Sequence, residues 1–267
     1  MKPSPFVLRC CLTALFLTLA VSPFLAQAPQ SNSGFQPVVG QAGKDVVWVP
    51  TPQATVDKML DMAKVTAQDY LIDLGSGDGR TVITAAKRGL TAHGIEYNQD
   101  MVELSKRNAA SQGVSDRATF AKADLFESDF SRATVITMFL LQDINIRLRP
   151  TILSMKPGTR VVSNTFTMGD WQADETATVP GCSSWCTALL WIVPAKVEGT
   201  WKMPQGELKL TQTYQTVTGT LADNSISGGK LVGDQISFEV GGTRYEGRVN
   251  GNTITGTNPS APFTATR

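Results

Sequence analysis

The sequence predicts an α/β fold, a doubly wound and mostly parallel sheet, followed by a small all-β antiparallel domain. Short apolar segments alternate with amphipathic helical segments between residues 45 and 194, which is typical of a parallel sheet covered on both faces. After Pro194, strand-like segments recur about every ten residues between glycines, the spacing of an antiparallel meander or barrel. Two domains are therefore expected.

The first domain, residues 45–194, divides into predicted elements. One helix begins with Thr51 as its N-cap and Pro52 at its first helical position, where these residue types are favoured. The other predicted helices span Arg80–Arg88, Gln99–Ser111 and Asp143–Met155. The predicted strands span Tyr70–Leu74, Ala92–Glu96, Ala118–Ala123, Thr134–Phe139, Arg160–Phe166 and Thr187–Val193, with the segment around Thr176–Val179 as an antiparallel partner of the last.

Residues 195–267 form the predicted small β-rich domain, which alternates apolar and polar side chains as half-buried strands do. Its predicted strands include Leu208–Thr213, Val217–Leu221, Gln235–Val240, Tyr245–Val249 and Thr253–Thr257. The domain contains no polar constellation suited to catalysis, so its expected role is partner contact, docking or stabilisation. A ligand cup of the lipocalin type is the alternative.

The N-terminus has the pattern of a targeting segment. Positive charges at Lys2 and Arg9 precede an apolar run, and residues 26–28 form a small-x-small cleavage pattern, although the proline that follows disfavours cleavage. Residues 1–28 are therefore predicted to be a signal peptide or a membrane anchor, and 29–44 a flexible tether. This charge distribution predicts export, to the periplasm or to a membrane-anchored position facing out of the cytoplasm.

Composition excludes several classes of function. The net charge is +1 without a long basic run, so no nucleic-acid partner is predicted. His93 is the only histidine, which excludes a multi-histidine site, and no metal is predicted. Of the four cysteines, Cys182 and Cys186 lie beyond the N-terminal segment. They are predicted to form a disulfide in an oxidising compartment, with two unpaired cysteines as the alternative.

The most informative motif is D-L-G-S-G-D-G at residues 73–79, directly after an apolar strand. Glycines let the backbone of a strand-to-helix turn lie close to a charged cofactor. The third glycine comes one residue earlier than in the dinucleotide pattern G-x-G-x-x-G, and Arg80 occupies the slot of that glycine. A dinucleotide-dependent oxidoreductase is therefore disfavoured. The early glycine and the preceding acid resemble motif I of class I S-adenosylmethionine (SAM)-dependent methyltransferases.

That resemblance implies SAM as the cofactor and a seven-stranded Rossmann-like sheet. The ribose diol requires a carboxylate after the second strand, about twenty residues beyond the glycine loop, and Glu96 lies twenty-one residues after Gly75. Asp124 is assigned to the adenine edge, with Leu125 as backbone donor and apolar wall. A plain helix cap would also explain Asp124. Asp73 is assigned to the cationic end of the methionine part of SAM, or to orienting the loop.

A narrower resemblance rests on three segments, namely Val-Pro-Thr-Pro at 49–52, the exact residues of the motif at 73–80, and Ala-Ala-Lys at 85–87. Across residues 45–170 the chain resembles the lysine methyltransferases that modify the ATP synthase c-subunit and the adenine nucleotide translocase. In that group the Val-Pro-Thr segment folds over SAM. The cofactor-binding residues so implied are Val49, Pro50, Thr51, Asp73, Gly75, Ser76, Gly77, Gly79, Glu96, Asp124 and Leu125.

The predicted acceptor pocket contains Phe139, Gln142, Asn164 and Phe166, with core packing as the alternative for the two phenylalanines. The apolar stretch after the fourth strand suits a long lysine stem better than a nucleobase amine. No catalytic base is assigned, because alignment of an already activated methyl group is the main task.

The expected activity is therefore methyl transfer from SAM to an acceptor, and the favoured acceptor is the amine of a protein lysine. A small-molecule methyltransferase is one alternative. An exported, non-catalytic binding protein is another, because SAM is a cytoplasmic metabolite.

Overall fold

A seven-stranded sheet covered by helices, followed by a closed eight-stranded barrel, makes up the described part of the chain. The structure is a computed structural model that describes Met1 and residues 34–267, so the predicted signal segment and the start of the tether lie outside the described residues. The predicted α/β fold class with a second, antiparallel β domain is confirmed. Within the described residues, no helix has the length and apolar character needed to cross a membrane.

The elements of the first domain lie close to their predicted bounds. Its described helices are α1 (Gln53–Met62), α2 (Arg80–Lys87), α3 (Gln99–Ser111) and α4 (Gln142–Leu153). Its strands are β1 (Tyr70–Leu74), β2 (Thr91–Glu96), β3 (Ala118–Lys122), β4 (Val135–Met138), β5 (Arg160–Asn164), β6 (Glu175–Thr178) and β7 (Thr187–Ile192).

The strand order is β3-β2-β1-β4-β5-β7-β6. The first five strands run parallel, whereas β7 is antiparallel to β5 and to β6. The order reverses between β1 and β4, and ligands of open α/β sheets bind in the crevice at the carboxyl ends of the strands at such a point. The topology therefore places the glycine loop after β1 at the expected ligand crevice.

Successive side chains of the central strand enter two separate cores, as the twofold period of a strand requires. Leu71 packs into a cluster with α1 and α2, and Ile72 into a cluster with α4 on the other face. Both side chains are at most 2% exposed. Burial on both faces explains why this strand is a continuous apolar run up to Asp73.

The predicted start of helix α1 is wrong by one residue. Pro52, with ψ of 139°, is the N-cap, and no side chain caps the helix. The backbone N–H groups of Thr55 and Val56 donate to the Pro52 carbonyl oxygen at 2.9 and 3.0 Å. Thr51 is drawn instead into contacts with Arg80 and Asn164, because tertiary contacts override a local capping preference.

The barrel consists of β8 (Gly199–Met203), β9 (Gly206–Thr213), β10 (Thr216–Leu221), β11 (Asn224–Val232), β12 (Gln235–Val240), β13 (Thr243–Asn250), β14 (Thr253–Thr257) and β15 (Pro262–Thr266). Neighbouring strands pair in antiparallel fashion, and the ring closes where Thr266 of β15 lies opposite Lys202 of β8. The sequence pattern did not identify β8, β11 or β15. Each contains a residue that is unfavourable in strands, such as Gly228 and Gly229 in β11 or Pro262 in β15.

Apolar side chains fill the interior of the barrel. Trp201, Leu208, Leu231, Phe238 and Ile254 are each at most 1% exposed and belong to one packed cluster. An eight-stranded barrel is just wide enough for such filling. The interior is therefore a hydrophobic core and not the ligand cup that the sequence left open.

The turn between β9 and β10 attaches the barrel to the sheet domain. Trp171 donates from Nε1 to Gln215 Oε1 at 2.9 Å, and the Gln215 amide donates to the Gln172 carbonyl oxygen at 2.8 Å. The Tyr214 ring stacks on Trp171 with centroids 5.8 Å apart, and its hydroxyl donates to Asp170 at 3.0 Å. This attachment lies directly after the segment that carries Phe166.

Candidate cofactor and acceptor site

A cavity of about 230 Å³ lies at the carboxyl ends of β1, β2 and β4. One side is formed by the glycine loop and carries the acids Asp73 and Glu96. The opposite side is apolar and includes Leu140, Phe139 and Phe166. The cavity therefore has a charged half, suited to a polar cofactor, next to an aromatic half.

The glycine loop needs its glycines for both conformation and space. Gly75 and Gly77 have φ of 76° and 54°, a region that other residues avoid. A Cβ on Gly75 would lie 3.0 Å from Leu140, and one on Gly77 would lie 2.7 Å from Trp48 Nε1. The bare backbone thus forms a cradle against these two side chains.

Gly79 and Ser76, two predicted cofactor residues of the loop, also contribute to packing beneath it. Gly79 has φ of 82° and begins helix α2, and a Cβ there would lie 2.8 Å from the Phe120 ring. Gly79 therefore permits packing beneath the loop and lies outside the cavity wall. The hydroxyl of Ser76 is buried against Gly94, without a hydrogen-bond partner among the described residues. The side chain of Ser76 thus faces the sheet, while the residue itself lines the cavity.

Glu96 lies at the end of β2, as its spacing predicts. Its Oε2 accepts a hydrogen bond from the Gly77 N–H, and its Oε1 accepts one from the Asn98 N–H, both at 2.9 Å. The next turn begins helix α3, where the Asn98 side chain caps Asp100 and Met101. Each carboxylate oxygen keeps a further acceptor site. Glu96 can therefore accept from a diol while it holds the glycine loop.

Asp73 is buried at the floor of the cavity. Its Oδ1 accepts a 2.7 Å hydrogen bond from the hydroxyl of Thr137, the residue opposite it on β4. Burial raises the pKa of the Asp73 carboxyl to about 7, opposed by the Thr137 hydrogen bond and reinforced by the neighbouring Glu96 and Asp78 carboxylates. A cationic ligand group would favour the ionised form. The position suits the ammonium group that the sequence assigned to it.

Asp124 follows β3 and has a cationic partner that the sequence did not predict. The Lys44 ammonium forms an ion pair with Asp124 Oδ2 and lies 5.0 Å from the centroid of the Tyr97 ring. The hydrogen bond from Lys44 lowers the pKa of Asp124. Asp124 Oδ1 accepts from the Phe126 N–H at 3.0 Å within a turn. Among the described residues no helix lies between β3 and β4, so the helix cap that was its alternative interpretation is wrong. Leu125 lines the cavity beside it, so both remain at the predicted adenine side.

The segment before α1 covers the cavity as a hairpin, residues 40–48, which we term the cover hairpin. Trp48 and Gln41 are joined by a 2.9 Å backbone hydrogen bond, and Gly43 donates to the Val46 carbonyl oxygen at 2.9 Å. Residues 41–44 line the cavity. The sequence predicts a flexible tether up to residue 44, whereas the structure forms residues 40–44 into part of this hairpin and pairs Lys44 with Asp124.

The predicted Val-Pro-Thr segment follows the cover hairpin, and Val49, Pro50 and Thr51 all line the cavity. Arg80 Nη1 donates to the Thr51 carbonyl oxygen at 3.0 Å, while Arg80 Nη2 pairs with Asp78 Oδ2 at 2.6 Å. The segment is thereby attached to the glycine loop. Dinucleotide-binding enzymes have a glycine at this position. Arg80, which replaces it here, joins the Val-Pro-Thr segment to the glycine loop.

The predicted acceptor residues divide into two pairs. Phe139 and Phe166 line the cavity, and their rings stack with centroids 5.9 Å apart. Gln142 begins α4 outside the cavity wall and accepts from the Thr167 hydroxyl at 2.7 Å. Asn164 is fully buried beneath the pocket, with Nδ2 3.5 Å from the Thr51 hydroxyl. The phenylalanines can contact an acceptor, whereas Gln142 and Asn164 support the segments around it.

Sequence reasoning missed several cavity residues, among them Lys44, Trp48 and Trp185. Trp48 directly precedes the Val-Pro-Thr segment, and Trp185 lies between the paired cysteines, so aromatic residues beside those motifs were an available signal. Lys44 has no local signal, because its partner lies eighty residues away. Among the described residues, no group of His, Cys, Asp or Glu side chains has the arrangement to hold a metal ion.

The residues present fit SAM. The glycine cradle admits a ligand against bare backbone, Glu96 has acceptor capacity for a diol, and Asp73 offers a carboxyl to an ammonium group. The apolar Leu125 and the aromatic Tyr97 line the side expected for adenine. Charged and apolar surfaces are thus distributed as the polar and flat parts of SAM require.

Comparison with known proteins agrees with this geometry. Residues 73–175 match the model of the ANTKMT methyltransferase domain. A protein-lysine N-methyltransferase of Saccharolobus islandicus is 42% identical over 151 residues, which cover 55% of this chain and 94% of that protein. The lysine N-methyltransferase of the ATP synthase c-subunit in Homo sapiens is 31% identical, but the match spans 48% of this chain and only 54% of that protein.

A solved structure has the same core. The crystal structure of an RNA methyltransferase from Salinibacter ruber, in complex with S-adenosyl-L-homocysteine, has 44% sequence identity and a TM-score of 0.53. It covers 56% of this chain and 96% of that one. The match leaves a large part of the present chain outside the shared region.

The fold and the site define a class I SAM-dependent methyltransferase, and SAM is its cofactor. The chain belongs to the ANTKMT methyltransferase domain family, together with the lysine methyltransferases that it matches. The resemblance stated from the motifs is confirmed, and an enzyme is favoured over the non-catalytic binding protein.

Replacement of Glu96 with alanine is expected to weaken SAM binding roughly tenfold to hundredfold, the value of hydrogen bonds to a charged group. The variant loses both the diol acceptor and the bond to the Gly77 N–H. Calorimetric titration with SAM measures the change. Glu103→Ala is the matched control, because that side chain is half exposed on α3 and pairs with Lys106. Equal affinity of wild type and Glu96→Ala would exclude the assigned role.

SAM affinity is expected to increase with pH across the pKa of Asp73, which is about 7. Only the ionised carboxyl attracts an ammonium group, so affinity falls by up to roughly tenfold per pH unit below that value. Titrations between pH 5.5 and 8, chosen to be about one unit or more on each side of the pKa, measure this dependence. Asp73→Asn should bind more weakly and lose the dependence. An unchanged slope in that variant would contradict the assignment.

The stability of the ligand-free protein should depend on pH with the opposite sign, because Asp73 stabilises the folded state more when it is protonated. The folded-state pKa of Asp73 lies above the ordinary value of 3.8, so the folded state holds the proton more tightly. The contribution of Asp73 to the free energy of unfolding therefore decreases as the pH rises from about 4 to about 7. Urea unfolding of wild type and Asp73→Asn across this range isolates the contribution, and a constant difference between the two proteins would refute it.

Proposed function

We propose that the protein is a protein-lysine methyltransferase. The observation that carries this proposal is the aromatic half of the cavity, where Phe139 and Phe166 follow β4 and β5 beside the cofactor half. A lysine side chain presents a long apolar stem and a terminal amine, and stacked rings suit both parts. The relative in Saccharolobus islandicus, which carries the lysine description, matches over nearly its whole length.

The residues of this site align and desolvate the reactants. When bound, SAM supplies a methyl group that is already activated by the positively charged sulfur. The apolar side chains Phe139, Leu140 and Phe166 favour the neutral amine, because a desolvated ammonium loses its proton more readily. The glycine loop, Asp73 and Glu96 would hold SAM, and Phe139 and Phe166 would hold the neutral amine beside its methyl group. Orientation of the amine in line with that methyl group is the main contribution of the protein.

The wild-type enzyme is expected to transfer a labelled methyl group from SAM to the ε-amino group of lysine. A peptide library with a central lysine, a matched library with arginine at that position, and total RNA serve as acceptors. Mass spectrometry of the products identifies the modified atom. Lysine peptides alone should carry the label, because arginine holds its proton and the aromatic walls offer a base no polar partners.

Label in RNA, or only in a small molecule, would overturn the lysine assignment. The RNA arm matters, because the structure from Salinibacter ruber is described as an RNA methyltransferase. The Glu96→Ala variant at low SAM concentration should lose transfer, and Glu103→Ala should retain it. These two controls separate enzymatic transfer from chemical methylation.

We also propose that the enzyme acts outside the cytoplasm, as the N-terminal sequence pattern predicts. The disulfide between Cys182 and Cys186 supports this location, because such bonds persist in oxidising compartments. The disulfide lies in the sheet domain, so the proposed location applies to the part of the chain that carries the cavity. Attachment to a membrane through residues 1–28 would be compatible with it.

A reporter enzyme that is active only in an oxidising compartment, fused after Arg267, is expected to be active in cells that make the full chain. Deletion of residues 2–28 should abolish the reporter activity without lowering the amount of fusion protein. Activity of both fusions, or of neither, would contradict export. Cell fractionation with detection of the fusion then distinguishes a released protein from an anchored one.

A further inference from the structure

The loop between β6 and β7 brings a tryptophan to the aromatic half of the cavity. Cys182 and Cys186 close this loop with a disulfide, their Cα atoms 5.7 Å apart, and Trp185 lies inside it. Trp185 has φ of 57°, which is rare for a bulky residue. Its carbonyl oxygen accepts a 3.1 Å hydrogen bond from the hydroxyl of the fully buried Thr55 on α1. The loop is therefore fixed both by its own cross-link and by a neighbouring helix.

Trp185 completes a cluster of three rings. Its centroid lies 5.4 Å from that of Phe139 and 5.8 Å from that of Phe166. The side chain lines the cavity, yet the residue is 38% exposed. Core packing alone does not explain a tryptophan that is so exposed beside two aromatic neighbours. The three rings together form the aromatic half of the cavity.

Phe166 is held in this cluster by a strained turn. Thr165 has φ of 63°, and the Phe166 N–H donates to the Asn164 carbonyl oxygen at 2.7 Å across a γ-turn. The Phe166 carbonyl oxygen accepts from the Ser163 hydroxyl at 2.7 Å and from the Asn145 amide at 3.1 Å. Strained backbone of this kind persists only where surrounding bonds fix it, and it concentrates at functional sites.

We propose that Trp185 is a specificity-determining residue of the acceptor channel, and that the Cys182–Cys186 disulfide holds it in place. This inference rests on the proposed lysine methylation. The rings of Phe139, Phe166 and Trp185 pack on one another, so an acceptor amine that enters the cavity passes along the surface that they share. This aromatic surface contacts the apolar stem and attracts the ammonium group of the incoming lysine, so its contribution is to acceptor binding. The channel selects a slender amine over a flat or anionic acceptor.

Acceptor binding should therefore depend on whether the Cys182–Cys186 disulfide is intact. Reduction of the bond adds two electrons and two protons from a dithiol reductant, which is itself oxidised to a disulfide, and releases Cys182 from Cys186. The loop then retains the Thr55 hydrogen bond but loses its cross-link. Acceptor binding should weaken, while the SAM-binding half of the cavity, built from the glycine loop and Glu96, should be unaffected.

The test compares steady-state kinetics on the lysine peptide that the wild type methylates best. Trp185→Ala should raise the acceptor KM roughly tenfold, with Trp185→Phe intermediate, and should change kcat by less than about twofold. The double variant Cys182→Ser/Cys186→Ser should raise KM in the same direction and become insensitive to dithiothreitol, to which the wild type responds. Ser183→Ala, exposed in the same loop, is the matched control.

SAM titration of each variant shows whether it is folded. If Trp185→Ala no longer binds SAM, it is misfolded, and Trp185→Phe then serves as the test variant. Unchanged acceptor KM in Trp185→Ala and Trp185→Phe, with lysine methylation intact, would overturn this inference and leave the lysine proposal standing. A wild type that binds SAM and methylates no lysine would overturn both. An equal fall in kcat and rise in SAM Kd would indicate a structural role for Trp185 instead.

Discussion

The paired hydrogen bonds of the Glu96 carboxylate are the constraint on which the cofactor half of the site depends. They join the glycine loop after β1 to the turn that begins α3. Glycines have no side chain that could pack, and they lose much conformational entropy on folding. An ionic acceptor that holds the loop offsets this cost, and the same oxygens face the cavity. Structural support and ligand recognition therefore use one side chain.

The acceptor half depends on a different kind of constraint. Its rings are placed by backbone in the left-handed region, at Thr165 and Trp185, and by hydrogen bonds that surround those positions. Charged groups dominate one half, and aromatic surface dominates the other. This separation lets a charged cofactor and a desolvated amine share one cavity, because each half favours the form that its ligand must adopt.

Much of the fold and half of the site could be predicted from the sequence, for a physical reason. Asp73 and Glu96 stand at strand ends, where local hydrophobic patterns and spacing define their positions. Lys44 reaches the cavity through long-range folding, which no local pattern encodes, whereas Trp48 and Trp185 stand beside motifs that the sequence shows. Thr51 shows the converse, because it has the local chemistry of a helix cap but is drawn into contacts with Arg80 and Asn164. Strands β8, β11 and β15 contain glycine or proline, which interrupts the alternation of apolar and polar residues, so the sequence pattern did not identify them.

Closure of the barrel by its last strand has a consequence for assembly. Strand β15 separates β14 from β8 in the ring, so a chain that stopped before Pro262 would leave both of these strands with unpaired backbone groups. Exposed strand edges recruit other strands and promote aggregation. The sheet domain, by contrast, makes all its pairings before Val193. Strand β15 covers these two edges only after it has been made, so the barrel is the part of the molecule most sensitive to truncation.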